Sequence, residues 1–124
     1  MIGYAVSGLL VLIGTINLIP AAGLLSPERL RVLYGVAPDA PDLILLLRHR
    51  ALLFALLGGF IVLAAFRPAL QPLAFLVALV SMGGFLLLAA GGDHGASIAR
   101  VVRADVAGLL LLATAFLLHN LRPD

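Results

Sequence analysis

The chain has 124 residues, of which 63% are hydrophobic and 11% are charged. An ordinary soluble domain is about 45–50% apolar and about 25% charged, and a small one exposes too much surface to hide so many apolar side chains. The composition therefore excludes a soluble globular domain and a disordered chain. It predicts a single integral membrane domain over residues 1–124.

The charge and cysteine content exclude further classes of protein. The sequence has no cysteine, so it has no disulfides and no cysteine-ligated metal sites. All eight basic residues are arginine, and the isoelectric point is near 9.9. Because positive charge at the cytoplasmic rim of a membrane protein explains this value, we expect no nucleic-acid partner.

Four segments are apolar enough to cross a bilayer, which takes about 20 residues per helix. They are predicted at about 3–25, 43–66, 69–91 and 98–120. The first segment lacks the cationic start of a signal peptide, so we expect an uncleaved helix. Between the first two spans, Ser26-Pro27-Glu28 predicts the start of a short interfacial helix that ends at Gly35.

The predicted fold is therefore all-α, a four-transmembrane-helix bundle with one interfacial helix. Small residues recur at helical spacing on all four spans, which permits close helix packing and leaves a homodimer possible.

The distribution of the arginines predicts the orientation of the chain in the membrane. Six lie on the side of the first and third connections and two on the side of the termini, which predicts that both termini lie outside the cell.

Polar residues enter the second and fourth spans from the same side of the membrane. The charge-free stretches 51–66 and 106–121 measure only about 24 Å each at 1.5 Å per residue, so both helices must include residues before them. Those residues include Arg50 and Asp105. We expect these two to form an ion pair, because an uncompensated charge in low dielectric is costly.

The first hypothesis is a polar pocket that opens toward the cytoplasm and binds an anion through arginine. Its predicted ligand-binding residues are Asn17, Arg48, Arg50, Asp93, His94, Arg100 and Arg103. His49 and Asp105 are the candidate acid and base if the site catalyses a reaction. The three histidines have no metal-ligand spacing, so we expect no metal and no cofactor.

The alternative interpretation gives these residues structural roles. The arginines then extend to lipid headgroups and set the topology, and Asp105 joins two helices. Asn17 makes a hydrogen bond between helices near Pro20. Whether the polar side chains face one cavity or face lipid distinguishes the two interpretations.

Three stretches carry a resemblance: LRHRALLFALLGG at 47–59, AAFRP at 64–68, and 98–108, which contains Arg100, Arg103 and Asp105. They resemble small bacterial integral membrane proteins of unknown function, with a layout similar to the wider DoxX-like class. Some members carry the label phosphopantetheine adenylyltransferase. That enzyme family needs an HxGH motif on an α/β fold, and this sequence has neither. The resemblance therefore implies the four-helix architecture and no established activity.

Three functions stay open from the sequence. The leading one is a multi-pass protein of the bacterial inner membrane that contacts membrane lipids and binds a small anionic or amphiphilic ligand, with or without turnover. The second is a structural or assembly subunit of a membrane complex. The third is a small transporter, which would need a polar path through the outer half of the membrane.

Overall fold

The computed structural model describes residues 2–20, 41–92 and 95–121, and it places them in four helices. These are α1 (Ile2–Leu18), α2 (Pro41–Ala65), α3 (Gln71–Ala89) and α4 (Ala96–Leu121). The predicted all-α, four-helix class is confirmed. The interfacial helix predicted after Ser26, and residues 21–25 of the first predicted span, lie outside the described residues.

The ends of α2 follow from proline chemistry. Pro41 occupies the first helical position, where its missing N–H costs nothing, and Asp42 lies in the first turn near the positive end of the helix dipole. The helix ends because Pro68 disfavours helical geometry at the residue before it. Arg67 accordingly has φ −133° and ψ 88°, and a 3-10 turn at Pro68–Leu70 leads into α3.

A glycine turn ends α3. Ala90 is extended, with ψ 137°, and Gly91 has φ +81°. An L side chain is disfavoured at that φ, whereas glycine adopts it without a steric cost. The chain can therefore leave α3 sharply within two residues.

Three of the helical segments are long and apolar enough to cross a membrane: Pro41–Ala65, Pro68–Ala89 and Ile98–Leu121. Helix α1 is apolar but has 17 residues. Large apolar side chains face outward, and Leu87 and Leu88 are 80% and 89% exposed. Burial in lipid satisfies such a surface and water does not, so the chain is a membrane protein.

The helices pack as a ring. Helix α1 lies against α2 and α4, and α3 lies against the same two helices. The interior contains apolar side chains from all four helices, among them Leu10, Ile61, Ala78 and Leu112. We call the end where α2 and α4 begin the polar end, and the end where they finish the far end.

Helices α1 and α2 approach each other closely at two glycines. A Cβ on Gly14 would lie 2.6 Å from Val62 Cγ2, and one on Gly58 would lie 2.8 Å from the carbonyl oxygen of Gly14. Any larger residue would push the two backbones apart. Two of the small residues singled out in the sequence thus permit this contact, as is typical of helices packed in lipid.

Candidate functional site

Among the described arginines of the polar end, Arg50 is the one that is not fully exposed. It is half-buried. Its guanidinium carbon lies 4.8 Å from the centroid of the Phe54 ring and 5.4 Å from that of Phe85 on α3. Both distances are within the range of a cation–π interaction. Two aromatic rings thus hold the charge of Arg50 between α2 and α3.

Asp105 supplies the opposite charge. It lies half-buried on α4, and its carboxylate interacts electrostatically with Arg50 across the bundle. The sequence predicted this interaction because both residues precede a charge-free stretch. A charge in a membrane-spanning helix requires such compensation, so the interaction connects α2 to α4.

Arg48 and His49 lie on a different surface of α2. Both are exposed, and they line a groove of about 400 Å³. Among the described residues, the others that line this α2 groove are Pro41, Ile44, Leu45 and Leu52. The groove therefore combines a guanidinium group and an imidazole ring with apolar side chains.

Asn17 lies in the core and not on an open cavity surface, since its side chain is only 2% exposed. Its Nδ2 donates a hydrogen bond to the carbonyl oxygen of Ile13 at 2.8 Å and lies 3.9 Å from Met82 Sδ on α3. The amide therefore contacts another helix, as the alternative interpretation predicts. Its role as a ligand-binding residue stays a prediction.

The remaining predicted residues are distributed more widely. Arg100 and Arg103 lie exposed near the start of α4, at the polar end. Asp93 and His94 fall outside the described residues. In the described ranges no group of three or more His, Cys, Asp or Glu side chains is placed to hold a metal ion.

The two candidate catalytic residues do not form a pair. His49 lines the outer α2 groove, whereas Asp105 interacts with Arg50. Across the part of the chain that the structure describes, no hydrogen bond joins His49 to Asp105. The structure therefore brings together Arg50 with Asp105, and Arg48 with His49, as two separate pairs.

The far end contains a polar cluster that the sequence did not predict. Gln71 is fully buried, and its Nε2 donates to the carbonyl oxygen of Ala64 at 3.2 Å. His119 Nδ1 lies 3.0 Å from Gln71 Oε1, and the His119 ring contacts Phe75 edge to face at 5.3 Å. Ser7 donates to the carbonyl oxygen of Ala65. The sequence signal for this cluster was Gln71, a polar residue inside a largely apolar predicted span.

This far-end cluster has a structural explanation. Ala64 and Ala65 are the last residues of α2, where carbonyl groups have no partner within the helix. In a membrane such groups must find donors from other parts of the protein. The Ala64 carbonyl accepts hydrogen bonds from the Arg67 N–H at 3.1 Å and from Gln71, and the Ala65 carbonyl accepts one from Ser7. The cluster therefore completes the end of α2.

Comparisons of the chain with protein-family models, with curated proteins and with solved structures found no significant match. The resemblance to small bacterial integral membrane proteins of unknown function stays a prediction.

Proposed function

We propose that the protein binds a small anionic amphiphile, such as an anionic phospholipid, in the α2 groove at the polar end. The observation that carries this proposal is the shared groove of Arg48, His49, Leu45 and Leu52. A guanidinium suits a phosphate or carboxylate because it donates two parallel hydrogen bonds. The leucines suit an acyl chain.

The depth of Arg48 in the membrane supports the same ligand. Arg48 precedes the end of α2 at Ala65 by 17 residues, which corresponds to about 26 Å at 1.5 Å per residue. The hydrocarbon core is about 30 Å thick. If α2 ends near one boundary, Arg48 lies near the other, where lipid phosphates lie.

Membrane placement and orientation belong to the same proposal. We place the chain in the bacterial inner membrane, with α1 as a fourth span and both termini outside. Four described arginines lie toward the polar end, Arg48, Arg50, Arg100 and Arg103, and one, Arg67, lies at the far end. By the positive-inside rule the polar end is cytoplasmic.

The proposal is one of binding and not of transport. Between the polar end and the far-end cluster, the interior is filled by buried apolar side chains such as Leu10, Ile13 and Ile61. A polar solute would have to displace this layer. Turnover by His49 and Asp105 also lacks support, because the two residues lie in separate pairs.

A second candidate function, an assembly subunit, is favoured by an apolar groove of about 510 Å³ between α3 and α4. Its walls include Phe75, Leu79, Leu109 and Phe116. A helix of a partner subunit would fit such a surface. Single-molecule counting in native membranes distinguishes the candidates, because an assembly subunit colocalises with a partner and a lone binder does not.

Native mass spectrometry of the purified protein tests the binding proposal. The protein is incubated with equimolar phosphatidylglycerol and phosphatidylcholine. We expect the wild type to retain phosphatidylglycerol preferentially. Arg48→Ala should weaken this binding about tenfold, the equivalent of the about 1.5 kcal/mol that a charge-assisted hydrogen bond contributes.

Arg67→Ala is the matched control, because Arg67 is exposed just beyond the opposite end of α2, outside the α2 groove. It should leave the preference unchanged. Equal retention of the two lipids by the wild type would overturn the proposal. Equal losses in Arg48→Ala and Arg67→Ala would do the same, because binding would then reflect net charge alone.

A further inference from the structure

The Asn17 side chain contains a buried acceptor without a donor. Both polar contacts of this side chain are made by Nδ2, with the Ile13 carbonyl and with Met82 Sδ. Within ranges 2–20, 41–92 and 95–121, no donor reaches Oδ1. Because the side chain is 98% buried, bulk water does not supply one.

The opposite orientation of the carboxamide would not satisfy its oxygen either. If the carboxamide were rotated by 180°, Oδ1 would face the carbonyl oxygen of Ile13, and two acceptors would meet. The observed orientation is therefore the favourable one. Buried carbonyl groups in folded proteins nearly always have a hydrogen-bond partner, so an orphaned acceptor indicates a bound group that donates to it.

Asn17 contacts α3 through Met82. Met82 Sδ, which contacts Asn17, also packs against α4, since a Cβ on Gly108 would lie 2.6 Å from it. Asp105 precedes Gly108 by three residues, close to one helical turn. Phe85, which holds Arg50, follows Met82 at the same spacing. Met82 thus links Asn17 to the helices that carry Phe85 and Asp105.

We propose that the bundle interior at the polar end is a binding site for an O–H group that donates to Asn17 Oδ1. A water molecule has this chemistry, and so does the hydroxyl group of an amphiphile such as a glycerol headgroup. This interior site is distinct from the outer α2 groove and does not depend on it. It assigns Asn17 as a ligand-binding residue that acts through its carbonyl oxygen.

Isotope-edited infrared spectroscopy tests the site directly. The chain has two asparagines, Asn17 and Asn120, and Asn120 is exposed. In the variant Asn120→Gln, asparagine labelled with 13C at the side-chain carbonyl therefore reports Asn17 alone. The protein is prepared without lipid in a detergent that has no hydroxyl group, and again with phosphatidylglycerol added.

We expect the carbonyl stretching frequency of Asn17 to be lower than that of an asparagine derivative in aprotic solvent and closer to the frequency of the hydrated Asn120. Asn17→Leu leaves Asn120 as the only asparagine and gives that hydrated reference. A lowered frequency in both preparations identifies water as the donor, and one that appears only with phosphatidylglycerol identifies the headgroup hydroxyl. A frequency equal to the aprotic value in both preparations would overturn the proposal.

Discussion

His119 donates a hydrogen bond from Nδ1 to Oε1 of Gln71, 3.0 Å away. The direction follows from Gln71, whose Nε2 is engaged with the carbonyl oxygen of Ala64, so that Oε1 is left to accept. This contact joins α3 to α4 at the far end, away from the proposed binding groove. The two ends of the bundle thus contain polar groups with different roles.

Replacing Gln71 should destabilise the protein without affecting lipid binding. Gln71→Leu removes the donor to Ala64 and leaves His119 Nδ1 without its acceptor, at a cost of about 1–3 kcal/mol. Reversible unfolding in a denaturing detergent measures the loss. In a double-mutant cycle with His119→Phe, the double variant should lose less stability than the sum of the losses of the two single variants. Additive losses would show that the two side chains are not coupled.

The glycine contact between α1 and α2 predicts a strong contrast between neighbouring residues. A Cβ on Gly58 would lie 2.6 Å from Leu18 Cγ, so Gly58→Ala should cost about 1–3 kcal/mol through overpacking. Gly59 has no atom within 4 Å of the same position. Gly59→Ala should therefore be neutral or slightly stabilising. Equal thermal stabilities of the two variants would contradict the observed packing.

The Arg50 and Asp105 charges should be coupled. Arg50→Met leaves the half-buried carboxylate of Asp105 without a compensating charge. We expect the free energy of unfolding to fall by roughly 2 kcal/mol, which is less than the loss of about 3–5 kcal/mol for a fully buried pair. Asp105→Asn in the same chain should recover part of this loss. Unfolding of the two single variants and the double variant measures the coupling, and a double variant no more stable than Arg50→Met would refute it.

Hydropathy predicted the four helices, because the length of an apolar span depends on local sequence. The ends of α2, α3 and α4 lie within two residues of the predicted ones. The interaction of Arg50 with Asp105 was also predictable, since their depths follow from the charge-free stretches. The sequence did not predict which face of α2 each side chain occupies, because that depends on how the helices rotate against each other.

The far-end cluster illustrates a second limit. Gln71 and His119 are 48 residues apart, and their contact depends on the packing of α3 against α4. Nothing in the local sequence of either residue specifies that contact. A polar residue inside an apolar span does indicate a buried hydrogen bond, but it does not name the partner.

Photo-crosslinking to lipid tests the proposed function most directly. A benzophenone side chain replaces Leu45, which lines the α2 groove, or Leu63, which is exposed toward the other end of α2. Each protein is irradiated in vesicles of equal phosphatidylglycerol and phosphatidylcholine, and the adducts are identified by mass. We predict that adducts at Leu45 are enriched in phosphatidylglycerol and that adducts at Leu63 reflect the vesicle composition. The same lipid ratio at both positions would contradict a specific anionic site in the groove.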